Sequence, residues 1–308
     1  MSERAIFTEG LSKSFGAQAA VTELNLQIQP GAVYGFLGRN GAGKTTTMRM
    51  LLGLVRPTKG RARVLGLDPT KEAELLRILE RVAFVPQRKQ LYGWATPAEL
   101  VRMNKAYFPR WSDDAAARLA ERLEIPTKMA FKKLSIGNQT KVALLLALAQ
   151  EAEVLILDEP TAGLDPQSRL AVWEMVRDMR RRGTTILLTT HNMEEADQLC
   201  DRVAIIDHGK ILVCDTPSNL KQRTGAQRVL ELHVDGARQS LAEGLGRIPA
   251  VTSVEITQSG VRVLAGGGDG LLSKVFEIAQ GYQLRDISMT EPSLETVFIL
   301  LTGRNLRD

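Results

Sequence analysis

The chain has only two cysteines, Cys200 and Cys214, too few for a disulfide framework, which points to a reducing cytoplasm as its setting. It also lacks a long hydrophobic run. The longest, Val142 to Ala149, falls well short of the roughly 18 apolar residues of a membrane span, so the chain is not expected to cross a bilayer alone. Met1-Ser2-Glu3-Arg4 lacks the charged-then-apolar layout of a secretory leader. Charge of one sign is missing as well: a net +5 over 40 basic and 35 acidic side chains reads as a solvated surface rather than a nucleic-acid footprint. What remains is an ordinary globular composition, 44% hydrophobic and 24% charged, with enough length at 308 residues for two domains and a sizeable core.

One stretch organises the rest. Gly38-Arg39-Asn40-Gly41-Ala42-Gly43-Lys44-Thr45 fits the nucleotide-binding loop pattern G-x-x-x-x-G-K-[ST] without mismatch. It follows an apolar run, Ala32 to Leu37, that reads as a buried strand, and precedes a helix expected over Thr45 to Leu54. Glycines at 38, 41 and 43 let the backbone approach a ligand and turn consecutive N–H groups into one concavity suited to polyphosphate. Lys44 supplies a compact positive charge, the Thr45 hydroxyl suits Mg²⁺, and the helix dipole faces the same anion.

Taken in order, residues 1–31 show period-two alternation at Ala5 to Thr8 and Leu24 to Ile28, read as antiparallel strands. Phe15 lies among them; stacking on an adenine ring and packing inside a hairpin both remain open. A further strand, Val82 to Val85, ends in Pro86-Gln87, where an uncharged amide suits either a Mg²⁺ ligand or an ordinary surface role. Thr96-Pro97-Ala98-Glu99 is a capping box that starts a helix running to about Tyr107, and Ser112-Asp113-Asp114 starts another that ends before Pro126. A strongly apolar helix is expected over Lys141 to Gln150, with Ser135 and Gly137 at its approach, either an anion site or a plain Ser cap.

The strand Val154 to Leu157 ends in the paired carboxylates Asp158-Glu159. A helix over Gln167 to Arg182 carries apolar positions Leu170, Trp173, Val176 and Met179, and the strand Thr185 to Thr189 ends near His191. The glycine loop, Gln87, Asp158-Glu159 and His191 thus each follow a different buried strand. Ligands of open α/β sheets bind at that edge, so these residues are expected to meet around one phosphate chain. A hairpin follows at Val203 to Val213, then a linker through Thr216-Pro217-Ser218 and Gln222 to Gly225. Residues 226–308 then show a β-α-β-β-α-β order and a closing helix, with no catalytic cluster.

Over residues 1 to about 220 the chain resembles the ATP-binding subunit of an ABC transporter. The resemblance implies a P-loop NTPase (ABC ATPase) core of α/β class with an antiparallel β subdomain and a helical subdomain at about 94–150. A small α+β ferredoxin-like domain at 226–308, read as regulatory, docking or dimerising, would follow. Gly38 to Thr45 match Walker A, Gln87 the Q-loop, Leu134 to Gln139 the signature, Val154 to Glu159 Walker B, Ala162 to Asp165 the D-loop, and His191 the switch histidine.

Catalytic roles are implied for Glu159, His191 and Lys44, and Mg²⁺ contacts for Thr45, Gln87 and Asp158. Contacts to ATP are implied for Phe15, Gly38, Arg39, Asn40, Gly41, Ala42, Gly43, Lys44, Thr45, Thr46 and Gln87. Across a head-to-tail dimer with a second copy or a homologous ATPase, Ser135, Gly137 and Asp165 are implied to complete the site. The signature departs from L-S-G-G-Q by Ile136 and Asn138. The end segment, Glu291 to Glu295 and Leu301 to Arg304, looks like that of bacterial drug and antibiotic export ATPases. A membrane permease is the implied partner, with the chain on the cytoplasmic face of the cell membrane and no nucleic acid involved. A soluble ABC-type ATPase acting on nucleic acid or ribosome is the alternative; a nucleotide kinase leaves the Asp-Glu pair and His191 without purpose.

Overall fold

The computed structural model describes residues 4–226, 228–266 and 270–302. The chain divides at Thr216/Pro217 into two compact units.

The first unit opens with the hairpin β1 (Ile6–Phe15) and β2 (Gln18–Ile28), followed by β3 (Val33–Leu37), α1 (Lys44–Leu51) and β4 (Lys59–Val64). Then come α2 (Glu72–Leu79), β5 (Val82–Val85), α3 (Pro97–Lys105), α4 (Asp113–Arg122), α5 (Ile136–Leu148), β6 (Val154–Asp158) and α6 (Pro166–Arg181). β7 (Thr185–Thr190), α7 (Met193–Leu199), β8 (Arg202–Asp207) and β9 (Lys210–Asp215) complete it.

β2, β1 and β4 form a three-stranded antiparallel sheet. The central sheet has the order β5-β6-β7-β3-β8-β9 and is parallel except for the last strand. Every residue of β3, β6 and β7 is buried, which is why these segments read as unbroken apolar runs rather than alternating ones. Phe36, Ile156, Leu187 and Ile206 from this sheet share one core with Ile6, Leu24, Leu26 and Ile28 of the antiparallel sheet. Each such side chain contributes roughly 1.5–3 kcal/mol by leaving water. Register then sets the chemistry: Asp158 pairs with Thr189 and Leu37 with Thr190, so the ends of β6, β7 and β3 lie in adjacent rows.

Several elements depart from the sequence reading. β1 and β2 run 10 and 11 residues, longer than the alternation allows, because bulges between Thr8 and Leu11 and beyond shift the pairing. β4 and α2 have no counterpart in that reading. β4 is rich in Arg, with Arg61 paired to Glu9 across the strands, so its pattern is polar although Ala62 and Val64 are buried. α5 starts at Ile136, five residues before Lys141: Ser135 caps it, and the Gln139 amide donates to the Phe131 and Leu134 carbonyls, so the polar first turn is helical. In α6 the buried face is Val172, Trp173, Met175 and Val176, while Leu170 is exposed. The capping box of Thr96 and Glu99 and the Ser112 cap start α3 and α4 where the sequence puts them.

In the second unit the expected linker is in part a helix, α8 (Pro217–Gln222). Pro217 begins it, and the fully buried Leu220 belongs to a helix that packs against α11. β10 (Arg228–Asp235), α9 (Arg238–Leu245), β11 (Val251–Ile256), β12 (Gly260–Ala265), α10 (Leu271–Ala279), β13 (Gln283–Thr290) and α11 (Leu294–Thr302) follow. Their four strands form one antiparallel sheet in the order β11-β12-β10-β13. Leu230, Leu232, Val234, Val261 and Val263 bury one face of it against Leu241, Leu245 and Val275 of α9 and α10. Gly303 and Arg304 of the end segment lie outside the described residues.

Candidate functional site

The loop after β3 is shaped by close contacts that only glycine permits at two points. A Cβ on Gly38 would stand 2.3 Å from the Ile206 carbonyl oxygen, and one on Gly43, at φ +101°, 2.5 Å from that of Ala20. Gly43 delivers the chain into α1 at Lys44. The Lys44 side chain is 5% exposed and folds back over the loop, donating to the carbonyls of Gly38 (2.6 Å) and Arg39 (3.1 Å). Asn40 and Gly41 are exposed at the tip, Ala42 is buried, and Thr45 and Thr46 are half-buried in the first turn of α1.

At the end of β6, Asp158 accepts from the Thr45 hydroxyl (Oδ2, 2.9 Å) and from the Thr189 hydroxyl (Oδ1, 2.6 Å). Glu159 follows at φ +48°, in the left-handed region that a residue with a side chain occupies only at some cost, so the fold must hold it there. Here the enforcement is visible: the Glu159 N–H donates to both the carbonyl and the hydroxyl of Thr189, at 3.1 and 3.0 Å. The carboxylate is thereby aimed at three partners. Gln87 donates its side-chain amide to Oε2 at 2.8 Å, His191 Nδ1 lies 3.2 Å from Oε2, and Lys44 Nζ lies 3.5 Å from Oε1.

The electrostatics follow from these contacts. The His191 hydrogen bond, with Lys44 behind it, holds the Glu159 carboxyl below the usual carboxylate range despite burial. The same bond raises His191 above its ordinary value. Burial lowers Lys44, and the charges of Glu159 and Asp158 partly restore it.

Six sequence-predicted residues, Lys44, Thr45, Gln87, Asp158, Glu159 and His191, therefore meet at one sheet edge. Among the described residues no group of three or more His, Cys, Asp and Glu makes a metal cage. The Thr45 hydroxyl beside the Asp158 carboxylate is instead the sparse, all-oxygen donor set that Mg²⁺ takes when substrate phosphates supply further ligands.

Other expected residues stand apart. Phe15, at the end of β1, is 54% exposed with the Lys13 ammonium over its ring at 5.0 Å from the centroid, so it is a surface aromatic rather than part of a hairpin core. Ser135 is exposed and caps α5 by accepting from the Asn138 N–H. A Cβ on Gly137 would meet Ser168 and Leu164 of the same chain, not the lysine loop. Asp165 caps α6, accepting from the Ser168 N–H and hydroxyl.

Two residues of the site were not foreseen. Thr189 reads as one more strand former, yet it holds both acidic residues; the Thr189-Thr190 pair closing an apolar run just before a histidine is the available signal. Lys89 lines a cleft of about 800 Å³ together with Thr45, Gln87 and Asp158, donates to the Gln87 carbonyl at 3.0 Å, and feels the charges of Asp158 and Glu159.

Comparison with known proteins agrees with this geometry. Residues 21–162 match the family described as ABC transporter. The daunorubicin/doxorubicin resistance ATP-binding protein DrrA of Streptomyces peucetius is 37% identical over 315 residues, covering 99% of this chain and 94% of that one. The Nod factor export ATP-binding protein I of Sinorhizobium fredii is 37% identical over 312 residues, covering 100% of this chain and 88% of that one. The ATP-binding cassette MJ0796, solved as a dimer in a post-hydrolysis state with ADP and Pi, shares the fold at TM-score 0.63 and 22% identity over 68% of this chain and 98% of its own. A Walker-type loop, a paired carboxylate and a histidine on one edge, in a chain matched along its length by such relatives, leave one conclusion: the protein belongs to the ABC transporter family, as one of its Mg²⁺-dependent, ATP-hydrolysing subunits.

Proposed function

We propose that this ATPase powers export through a separate membrane permease, held at the cytoplasmic face of the membrane and paired with a second copy of itself. Residues 1–220 are assigned ATP binding and hydrolysis, and residues 226–308 an accessory role in assembly or regulation. The export direction rests on relatives named for export and resistance. The need for a separate permease agrees with the finding that no helix among the described residues is long and apolar enough to span a membrane.

The observation that carries the site assignment is the convergence of Lys44, Thr45, Asp158 and Glu159 within hydrogen-bond or ion-pair reach of one another. Lys44 is assigned the β- and γ-phosphates: its ammonium already rests on the loop carbonyls, and turning it outward exposes the concavity. Thr45, Asp158 and Gln87 would hold Mg²⁺, which supplies charge neutralisation between the phosphates. Glu159, kept ionised by His191 and Lys44, polarises the attacking water, and His191, favoured in its protonated form, contacts the γ-phosphate. Phosphoryl transfer demands mostly positioning and charge stabilisation, which this network supplies before substrate arrives.

Ser135 and Gly137 lie outside their own chain's cluster, so we assign them to the partner's nucleotide, with Asp165 on the same face. The test is a chain carrying Asn40→Cys and Ser135→Cys. ATP is expected to induce an inter-chain disulfide that nucleotide-free protein does not form. Absence of that cross-link in a nucleotide-saturated sample overturns the self-pairing. Co-purification of the tagged chain with a multi-span membrane protein checks the permease, and salt-sensitive nucleic-acid binding without membrane association would favour the soluble alternative.

A further inference from the structure

Behind the catalytic rim lies a buried carboxyl with no part in the reaction as described so far. Glu195, in α7, is fully buried (0% exposed). A buried carboxyl without compensation costs several kcal/mol, so its partners mark what it is for. Its Oε1 accepts from the Thr161 hydroxyl at 2.8 Å and from the Trp173 indole N–H at 3.1 Å. Oε2 is buried without a well-formed hydrogen bond, and the Thr190 side chain also favours the charged form. Burial pushes the carboxyl up from its usual range, while these three side chains oppose that push.

The partners belong to three different segments. Thr161 lies two residues after Glu159, in the turn that leaves β6; Thr190 is the last residue of β7, next to His191; Trp173 is in the middle of α6. The backbone on the far side of Glu195 is fixed too, since the Asn192 side chain accepts from the N–H groups of Glu194 and Glu195. Arg169 closes the other flank, its guanidinium 5.7 Å from the Trp173 ring centroid. Glu195 therefore ties the turn following Glu159 to the helix following His191.

We propose that Glu195 is a positioning residue for ATP hydrolysis: by clamping Thr161 it fixes the turn that holds Glu159 at positive φ, and so sets the 3.2 Å Glu159–His191 contact. Glu195 touches no reacting atom. Its effect is on the geometry of the pair in front of it, where a displacement of about 1 Å is worth up to roughly 100-fold in rate.

This inference rests on the assignment of Glu159 and His191, so the experiment includes Glu159→Gln as a control. Steady-state ATPase and ATP binding are measured for Glu195→Ala, Thr161→Val, their combination, and Glu195→Gln. Glu195→Ala and Thr161→Val are expected to lower kcat roughly 10- to 100-fold with ATP affinity within about threefold of wild type. The combination should fall no further than Glu195→Ala, because both remove the same clamp. Glu195→Gln keeps an oxygen acceptor for both donors and restores most of kcat. If Glu195→Ala does not fold, Thr161→Val, which removes only a hydroxyl, carries the test. A folded Thr161→Val with wild-type kcat, or losses that add in the combination, overturns the proposal. Should Glu159→Gln itself turn over normally, the site assignment fails instead, and the two failures are told apart.

Discussion

The two units of this chain handle polar groups in opposite ways. In the first, Lys44, Asp158, Glu159 and Glu195 are all buried and held by specific neighbours, the first three at the carboxyl edge of a parallel sheet and Glu195 in α7 through its Oε1. In the second, the only buried polar side chain among the described residues is Thr296. Its charges pair across strands with at least one partner open to solvent, half-buried Arg262 with Glu231 and Glu255, and exposed Arg285 with Asp235. Burying an ionisable group is costly and rarely the most stable choice, so where a chain does so repeatedly at one edge, chemistry is the reason. The second unit, whose largest apolar cluster joins one sheet face to α9 and α10, is held together without such buried ionisable groups among the described residues.

That contrast can be broken in four places. The largest effect is expected from Lys44→Ala, which removes the buried cation facing Glu159: ATP affinity should fall by about 2–5 kcal/mol, roughly 30-fold or more in Kd. Titration calorimetry that finds Kd within a few-fold of wild type counts against the phosphate role. Next, Leu232→Ala in β10 should cost the second unit about 2–5 kcal/mol, read as lost amide protection by native-state hydrogen exchange in the full chain. ATP affinity should stay put, because every assigned nucleotide contact lies in residues 15–191; a shifted Kd would erase the division of labour.

Third, NMR titration of the nucleotide-free protein should place His191 above its ordinary 6.5, and Glu159→Gln should bring it down, since burial and Lys44 then act unopposed by the pair. The sign carries over to stability. Relative to the Glu159→Gln variant, the pair's contribution is full between about pH 4.5 and 6.5. It fades as pH rises through the raised folded value of His191, and as pH falls through the lowered folded value of Glu159. A pH-independent difference contradicts the pair. The smallest effect is Arg262→Ala, which removes a half-buried guanidinium from two partly exposed carboxylates: a loss on the order of 1 kcal/mol in denaturant unfolding, with turnover unchanged.

Much of the catalytic rim was legible because buried parallel strands appear in sequence as apolar runs, and the residue that ends each run is visible by contrast. Gln87, Asp158 and His191 stand at or just past such breaks, and Lys44 is marked by the glycine-loop pattern that follows β3. Thr189 was not, since its γ-methyl and hydroxyl suit a strand interior as well as they suit holding two carboxylates. Nor was Glu195, which in sequence is one of two adjacent acids in an ordinary helix first turn. Local side-chain bonds hid the rest: the Gln139 amide carries α5 back to Ile136 through a polar turn, and Leu220 turns an expected linker into α8. The β-α-β-β-α-β order of the second unit was readable in sequence, and its elements follow in that order with one sheet face packed against α9 and α10.

The central claim is that Glu159 is the group that activates water at a site assembled from four strand ends. Purified Glu159→Gln, assayed for bound ATP and for released phosphate in one sample, tests it most directly. ATP should remain bound at wild-type affinity while phosphate release drops by about 100-fold or more. Release within a few-fold of wild type would contradict it.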